Sequence, residues 1–251
     1  MIFNTHSHIN DKIEEAEALV LECLENNVDK IAVVGYDLAS SQRALKLAIN
    51  NKNVYAICGL QPGGVEEFDG NFAEFIKLFD HPRCICIGEI GLDYYYGKET
   101  KELQLKYFEE QLKIACNYKK PIEIHCRDAH EDTFNLLEKY YKQLDGIILH
   151  CYTGSVEMMK RYLKLGAYIS ISGVVTFKNA VTIKEVVKEC PIDRLLVETD
   201  DPYLTPVPFR GKENKPSYVR YVVNEIALLK NMSIEEVEKQ TYENAMKVFH
   251  L

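Results

Sequence analysis

The chain has 251 residues, 47% hydrophobic and 27% charged, a balance that suits a globular enzyme and excludes a disordered or fibrous polymer. Thirty basic residues against thirty-eight acidic ones leave a formal charge of −8, which argues against wrapping a nucleic-acid duplex through a broad basic face. A nucleic-acid substrate stays open all the same, because bound metal ions would supply local positive charge. The eight cysteines form no CxxC pair, and several lie in apolar runs, the pattern of reduced thiols in a cytoplasmic protein. No basic and apolar leader precedes the first strand, and no apolar run approaches the ~20 residues that span a bilayer. Neither a membrane nor an obligate protein partner is expected.

Apolar, β-branched runs predict strands at 2–6, 30–36, 54–60, 84–90, 122–126, 146–151, 168–172 and 195–199. Between them lie stretches of helical period, among them 11–27, 100–119 and 128–144. In the second, Leu103, Tyr107, Leu112 and Ala115 fall near one face. Continuously apolar strands separated by amphipathic helices imply a parallel sheet covered on both faces. Eight such units in a chain of this length predict a (β/α)8 TIM barrel, an α/β fold forming one domain over residues 1–251. An open doubly wound sheet is the competing architecture, but no glycine-rich phosphate loop follows any strand. The last helix opens with a capping-box pattern, Ser233 and Glu236.

Taken in chain order, these strands end on a recurring chemistry. The first ends in His6 and His8, two residues apart and therefore on one face of an ideal strand. Glu89 follows Ile85 and Ile87 on one parity of the fourth. His125 and His150 close the fifth and sixth, and Asp200 follows the eighth. By the same parity Glu123 and Arg127 share the side of His125, Glu198 shares that of Asp200, and Cys126 and Cys151 point away. An HxH pair alone is more often a pair of hydrogen-bonded histidines than a metal site, and a lone strand-end histidine is more often a satisfied core residue than a ligand. Four of the seven histidines converging with two acids on one rim is what a two-metal hydrolytic site requires. The expected assignment puts His6, His8 and Asp200 on one metal and His125 and His150 on the other, with Glu89 between. Mixed nitrogen and oxygen donors suit zinc or manganese, whereas magnesium prefers oxygen.

Across nearly the whole chain, HSH, HPRCICIGEIGLDYYY, Gln104 with Phe108, PIEIHCRDA, LHCYTGS, LLVETDDPYLTP and RGKENKP occur in order. This series resembles the TatD-related deoxyribonucleases of the amidohydrolase superfamily. The resemblance implies a distorted TIM barrel, two divalent metals (Zn, Mn or Mg), and 3′-to-5′ exonuclease action on single-stranded DNA. It also implies metal ligands at His6, His8, Glu89, His125, His150 and Asp200. Two departures stand out. Asn4 occupies a position where the family usually has aspartate, and Gln61 stands where a histidine is expected to hold the substrate phosphate.

Within that reading Asp200 is the expected proton acceptor and Glu89 the bridging carboxylate. Arg127 is a candidate phosphate clamp, its alternative being an ion pair with Glu123 or Asp128. Gln61, Arg210 and Asn214 are further candidate substrate contacts, the last two lying after the final strand where barrel enzymes often bind phosphate. Tyr94, Tyr95 and Tyr96 either stack on unpaired bases or pack, and packing is expected of at least one. Two rivals share the same ligands: an amidohydrolase or lactonase acting on a small molecule, and a barrel that binds without catalysis. A glutamate rather than a modified lysine at position 89 favours the nuclease over the first.

Overall fold

The predicted strands form in register along a single all-parallel sheet ordered β1 to β8, as the computed structural model of residues 1–251 describes. They are β1 (Ile2–Ser7), β2 (Val28–Val34), β3 (Val54–Cys58), β4 (Cys84–Asp93), β5 (Ile122–Arg127), β6 (Ile147–Leu149), β7 (Tyr168–Ile171) and β8 (Leu195–Val197). Helices cover the outside, among them α1 (Ile13–Glu25), α4 (Lys101–Ala115), α5 (His130–Tyr140), α8 (Val219–Lys230) and α9 (Ile234–Val248). The capping box at the start of α9 forms, Ser233 and Glu236 each satisfying the other's backbone N–H. No helix is long and apolar enough to cross a membrane.

Two apolar clusters divide the barrel. A large one fills the space between strands and helices. A smaller one takes Phe3, Val34, Ile57, Ile85, Ile148 and Leu196 from strands all around the sheet, so it must occupy the lumen. Val248 and Phe249, at the end of α9, plug it from below. This leaves the opposite, C-terminal end of the lumen for polar side chains, where barrel enzymes carry their sites.

Simple parity holds on β5, β6 and β8 and fails on β1 and β4. Pairing with β2 slips between Asn4 and Ser7, and that irregularity turns His6 into the lumen although Phe3, three residues earlier, already faces it. On β4, Ile87 belongs to the outer cluster with Ile90 and Leu92, contrary to the shared parity expected of Ile85, Ile87 and Glu89. Pairing with β5 slips between Ile87 and Ile90, and this reorients Glu89. The inner face of α4 also differs from expectation: Leu103 is only half-buried, whereas Gln104 and Gln111 are about 1% exposed.

The seam between the last strand and the first is closed by side chains and by hydrogen bonds beyond β8. Thr5 Oγ1 donates to the Val197 carbonyl (3.1 Å). The amides of Thr199 and Asp200 both donate to the His6 carbonyl, at 3.4 and 3.2 Å. Asn4, fully buried, donates through Nδ2 to Thr199 Oγ1 (2.7 Å) and the Pro216 carbonyl (3.3 Å), and its Oδ1 accepts from the Thr199 amide (3.1 Å). A carboxylate here could not donate to Pro216, which gives the asparagine its physical reason. Asn4→Ala should therefore cost about 1–3 kcal/mol by leaving buried partners unpaired. Urea unfolding followed by circular dichroism measures this, and an unchanged midpoint would remove Asn4 from the seam.

Candidate metal centre

At the C-terminal end of the lumen, bulged β1 and the turn after β8 bring three donors together. His6 Nε2 and His8 Nε2 lie 3.0 Å apart, and Asp200 Oδ1 stands 3.6 and 3.5 Å from them. Asp200 has φ 54°, so it is the left-handed turn after β8, not strand parity, that aims its carboxylate. A second trio sits beside the first. Glu89 Oε1 is 2.7 Å from His125 Nδ1 and 3.1 Å from His150 Nε2, and the two ring nitrogens are 3.2 Å apart. The His6 and His150 rings stack at 4.0 Å, and His6 also falls within one donor group with Glu89 and His150. All six expected ligands thus meet.

Three of the four histidines are hydrogen-bonded from behind on their other nitrogen, and the fourth, His150, faces a carboxylate there without a hydrogen bond. His6 Nδ1 meets Glu123 Oε2 at 3.0 Å across the barrel. His8 Nδ1 donates to the Val34 carbonyl (3.2 Å). His125 Nε2 meets Asp93 Oδ2 at 3.0 Å, and His150 Nδ1 faces Glu198 Oε1 at 3.4 Å. Glu198 is itself anchored by the Cys151 amide (2.8 Å) and the Ser170 hydroxyl. Such outer partners fix ring orientation and raise ligand basicity at metal sites. For His8 the carbonyl requires the proton on Nδ1, so the Nε2 lone pair faces His6 and Asp200.

Lone pairs this close repel unless a cation lies among them. A metal about 2.1 Å from each donor separates neighbouring donors by about 3.0 Å in octahedral and about 3.4 Å in tetrahedral geometry. The observed spacing of 2.7–3.6 Å fits that cradle. Titration behaviour agrees. Burial, then the neighbouring His150 and His8, holds His6 well below the usual imidazole range, so it presents a neutral ligand. Burial opposes the charge on His8, but Asp200 outweighs it and raises the group to about 9. Burial likewise disfavours charged His125 and His150, yet their carboxylate partners raise both. Burial would raise Glu89, but His150 and His125 hold it well below the carboxylate range.

The remaining candidates divide. Arg127 stacks on Tyr95 (3.9 Å) and Tyr96 (4.7 Å) and forms no ion pair; Glu123, one expected partner, is committed to His6. Tyr94 packs, half-buried, with its hydroxyl on Asp132 (2.7 Å), while Tyr95 and Tyr96 are exposed. Gln61 borders a cavity of about 340 Å³ beside His125, with no protein partner for its side-chain amide. Arg210 lies over Phe177 (3.8 Å) and donates to the Thr205 carbonyl (3.4 Å), touching none of the six ligands. Asn214 is buried, and its amide donates to the carbonyls of Thr199 (2.9 Å) and Tyr203 (2.6 Å). That commits both its donors to the turn carrying Asp200 and leaves none for a substrate.

Sequence reasoning quoted Asp93 and Gln104 within motifs without giving them a role, and did not single out Gln111. Gln111 clamps both backbone groups of Leu60, just before Gln61. Gln104 accepts from the Asp93 amide and donates to the Asp93 and Gly97 carbonyls. Two glutamines seven residues apart on the buried side of a helix were the available signal, since unpaired buried amides are costly.

A family model described as "TatD related DNase" matches residues 3–250. YabD, an uncharacterized metal-dependent hydrolase of Bacillus subtilis (strain 168), is 41% identical over 254 aligned residues covering all of both chains. YcfH, an uncharacterized metal-dependent hydrolase of Escherichia coli (strain K12), is 42% identical over 200 residues, 79% of this chain and 75% of that protein. The crystal structure of a TatD homolog from Escherichia coli K12 superposes with a TM-score of 0.94 at 27% identity, covering 100% of this chain and 98% of that one.

Metal must displace the protons on the raised histidines, so its apparent affinity should fall as pH drops below about 9, the value for His8. The expected slope is about tenfold per pH unit for each proton displaced. Chelator-competition titrations with zinc or manganese at several pH values between neutrality and that value test this. A pH-independent Kd would mean that the protonated rings are not the ligands.

Proposed function

Because this chain belongs to the TatD-related DNase family and is a metal-dependent hydrolase by its relatives, we propose that it is a two-metal phosphodiesterase that shortens single-stranded DNA from the 3′ end. The observation that carries this reading is the pair of adjoining donor trios, His6–His8–Asp200 and His125–His150–Glu89, with the outer ring nitrogens of His6, His8 and His125 already hydrogen-bonded. Four nitrogen and two carboxylate donors suit divalent zinc or manganese better than magnesium, and Glu89 would be the carboxylate available to both ions.

When bound, two such ions acidify a water and neutralise phosphate charge. The chain's own residues supply the rest. Asp200, at 17% side-chain exposure, is reachable from solvent and can orient the attacking water and accept its proton. The water oxygen bonds to phosphorus as the phosphorus–sugar oxygen bond breaks on the opposite side. The departing sugar oxygen takes a proton from solvent, Asp200 returns its own to solvent, and the nucleotide leaves. Arg127 can take a non-bridging oxygen through its free guanidinium edge, because stacking on Tyr95 and Tyr96 fixes the plane and leaves the N–H groups unspent. Gln61 can donate a hydrogen bond to the same group but cannot carry a proton.

Digestion of a 5′-labelled single-stranded oligonucleotide with magnesium, manganese or zinc tests the reading. A metal-dependent ladder shortening from the 3′ end is expected, with Asp200→Asn lowering the rate at least about a hundredfold, the scale of a lost general base. No cleavage by metal-loaded protein would turn the reading toward the small-molecule amidohydrolase or lactonase. Arg127→Ala should raise KM for the oligonucleotide more than it lowers kcat. Gln61→His should raise the rate if the missing proton carrier limits it.

A further inference from the structure

The cavity beside His125 has a character that the metal centre does not explain. At about 340 Å³ it is at the small end of ligand pockets, and no lysine or arginine lines it. Its polar lining includes the Gln61 amide, the carboxylates of Glu66 and Glu99, and His125 with its partner Asp93, while Val65 and the Tyr96 ring supply apolar faces. Neither glutamate has an ion-pair partner, and both are exposed. Two unpaired carboxylates make the Glu66 and Glu99 part of this lining a poor place for a phosphate. It suits a flat, uncharged heterocycle that stacks on one face and offers N–H groups at its edge.

Tyr96 is held for that role although its side chain is 75% exposed. The amides of Tyr95 and Tyr96 both donate to Asp93 Oδ1 at 2.9 Å. The two rings meet edge to face at 4.7 Å, and the Arg127 guanidinium supports them. The second oxygen of the same carboxylate holds His125. One side chain therefore fixes the aromatic wall relative to a metal ligand. Phosphate-binding character, carried by Arg127, lies on one side of this wall, and acceptor character on the other.

We propose that this cavity is a base subsite. It takes the nucleobase next to the scissile phosphate, stacked on Tyr96, and prefers bases with an exocyclic amine (adenine, cytosine, guanine) over thymine through Glu66 and Glu99. This rests on the phosphodiesterase reading for its substrate but not for its binding chemistry.

The test measures binding and turnover separately. Free adenosine, cytidine and thymidine, which carry no phosphate, are titrated against the metal-loaded protein by NMR. The two amine-bearing nucleosides should bind several-fold tighter than thymidine, and Tyr96→Ala should weaken them about tenfold, the scale of one base–aromatic stack. In parallel, kcat/KM is compared for a dinucleotide ending in adenine and the same diester ending in an abasic sugar. The expected ratio is about ten or more, collapsing toward one in Tyr96→Ala, while Glu66→Gln with Glu99→Gln narrows the preference for adenine over thymine. Equal turnover of the two diesters with no nucleoside binding would overturn the subsite and leave the phosphodiesterase reading intact. Nucleoside binding with that selectivity but no diester hydrolysis would support the subsite and sink the phosphodiesterase reading. Neither binding nor hydrolysis would overturn both.

Discussion

The closing seam of the barrel is the constraint on which the site depends. A parallel sheet of eight strands needs its first and last strands to meet, and here few backbone groups are available to join them, because β8 is only three residues long. Asn4 and Thr5 take over from β1, and the His6 carbonyl accepts from two successive amides beyond β8. The hydrogen bonds that close the barrel are therefore also the ones that set His6 and His8 against Asp200. Closure and assembly of the first donor trio are one structural event. Residues nearly two hundred positions apart in sequence become neighbours through it.

Behind the donors stands a layer of buried acids. Glu123 and Glu198 are fully buried, and Asp93 nearly so. Left alone, carboxylates in such surroundings are expensive, and burial does push Glu123 well above the usual range. Carboxylates raise the histidines in front: Asp93 and Glu89 act on His125, Glu89 and Glu198 on His150, and Asp200 on His8. The other end of the lumen is filled by Phe3, Val248 and Phe249.

Asp93 joins this layer to the substrate side. Its carboxylate serves His125 with one oxygen and the Tyr95 and Tyr96 amides with the other. Gln104, reaching from α4, holds its backbone at both the amide and the carbonyl. The loop after β4 is thus stiff where it touches the metal ligand, though its two aromatic rings project into solvent. This is the general need of a site that must position a flexible chain: a rigid base under exposed contact groups.

The sequence by itself determined the eight strands, the barrel, and the six strand-end positions whose side chains can ligate metal. Those features are local: β-branched runs, helical period and residue type at a strand end survive any rearrangement of neighbours. It could also mark Glu123 and Glu198 as sharing a face with ligands, because β5 and β8 keep the period of two. Tertiary structure decided the rest. Parity fails on β1 and β4, where pairing slips and rotates His6 and Glu89 inward. The register of a strand depends on its partner, which no single run of residues specifies. The same holds for Arg127, freed from acids and stacked on tyrosines of a neighbouring loop, and for Asn214, whose amide is taken up by the turn it supports. A side chain's type shows what bonds it can make; only the closed barrel decides which partners are left for it to make them with.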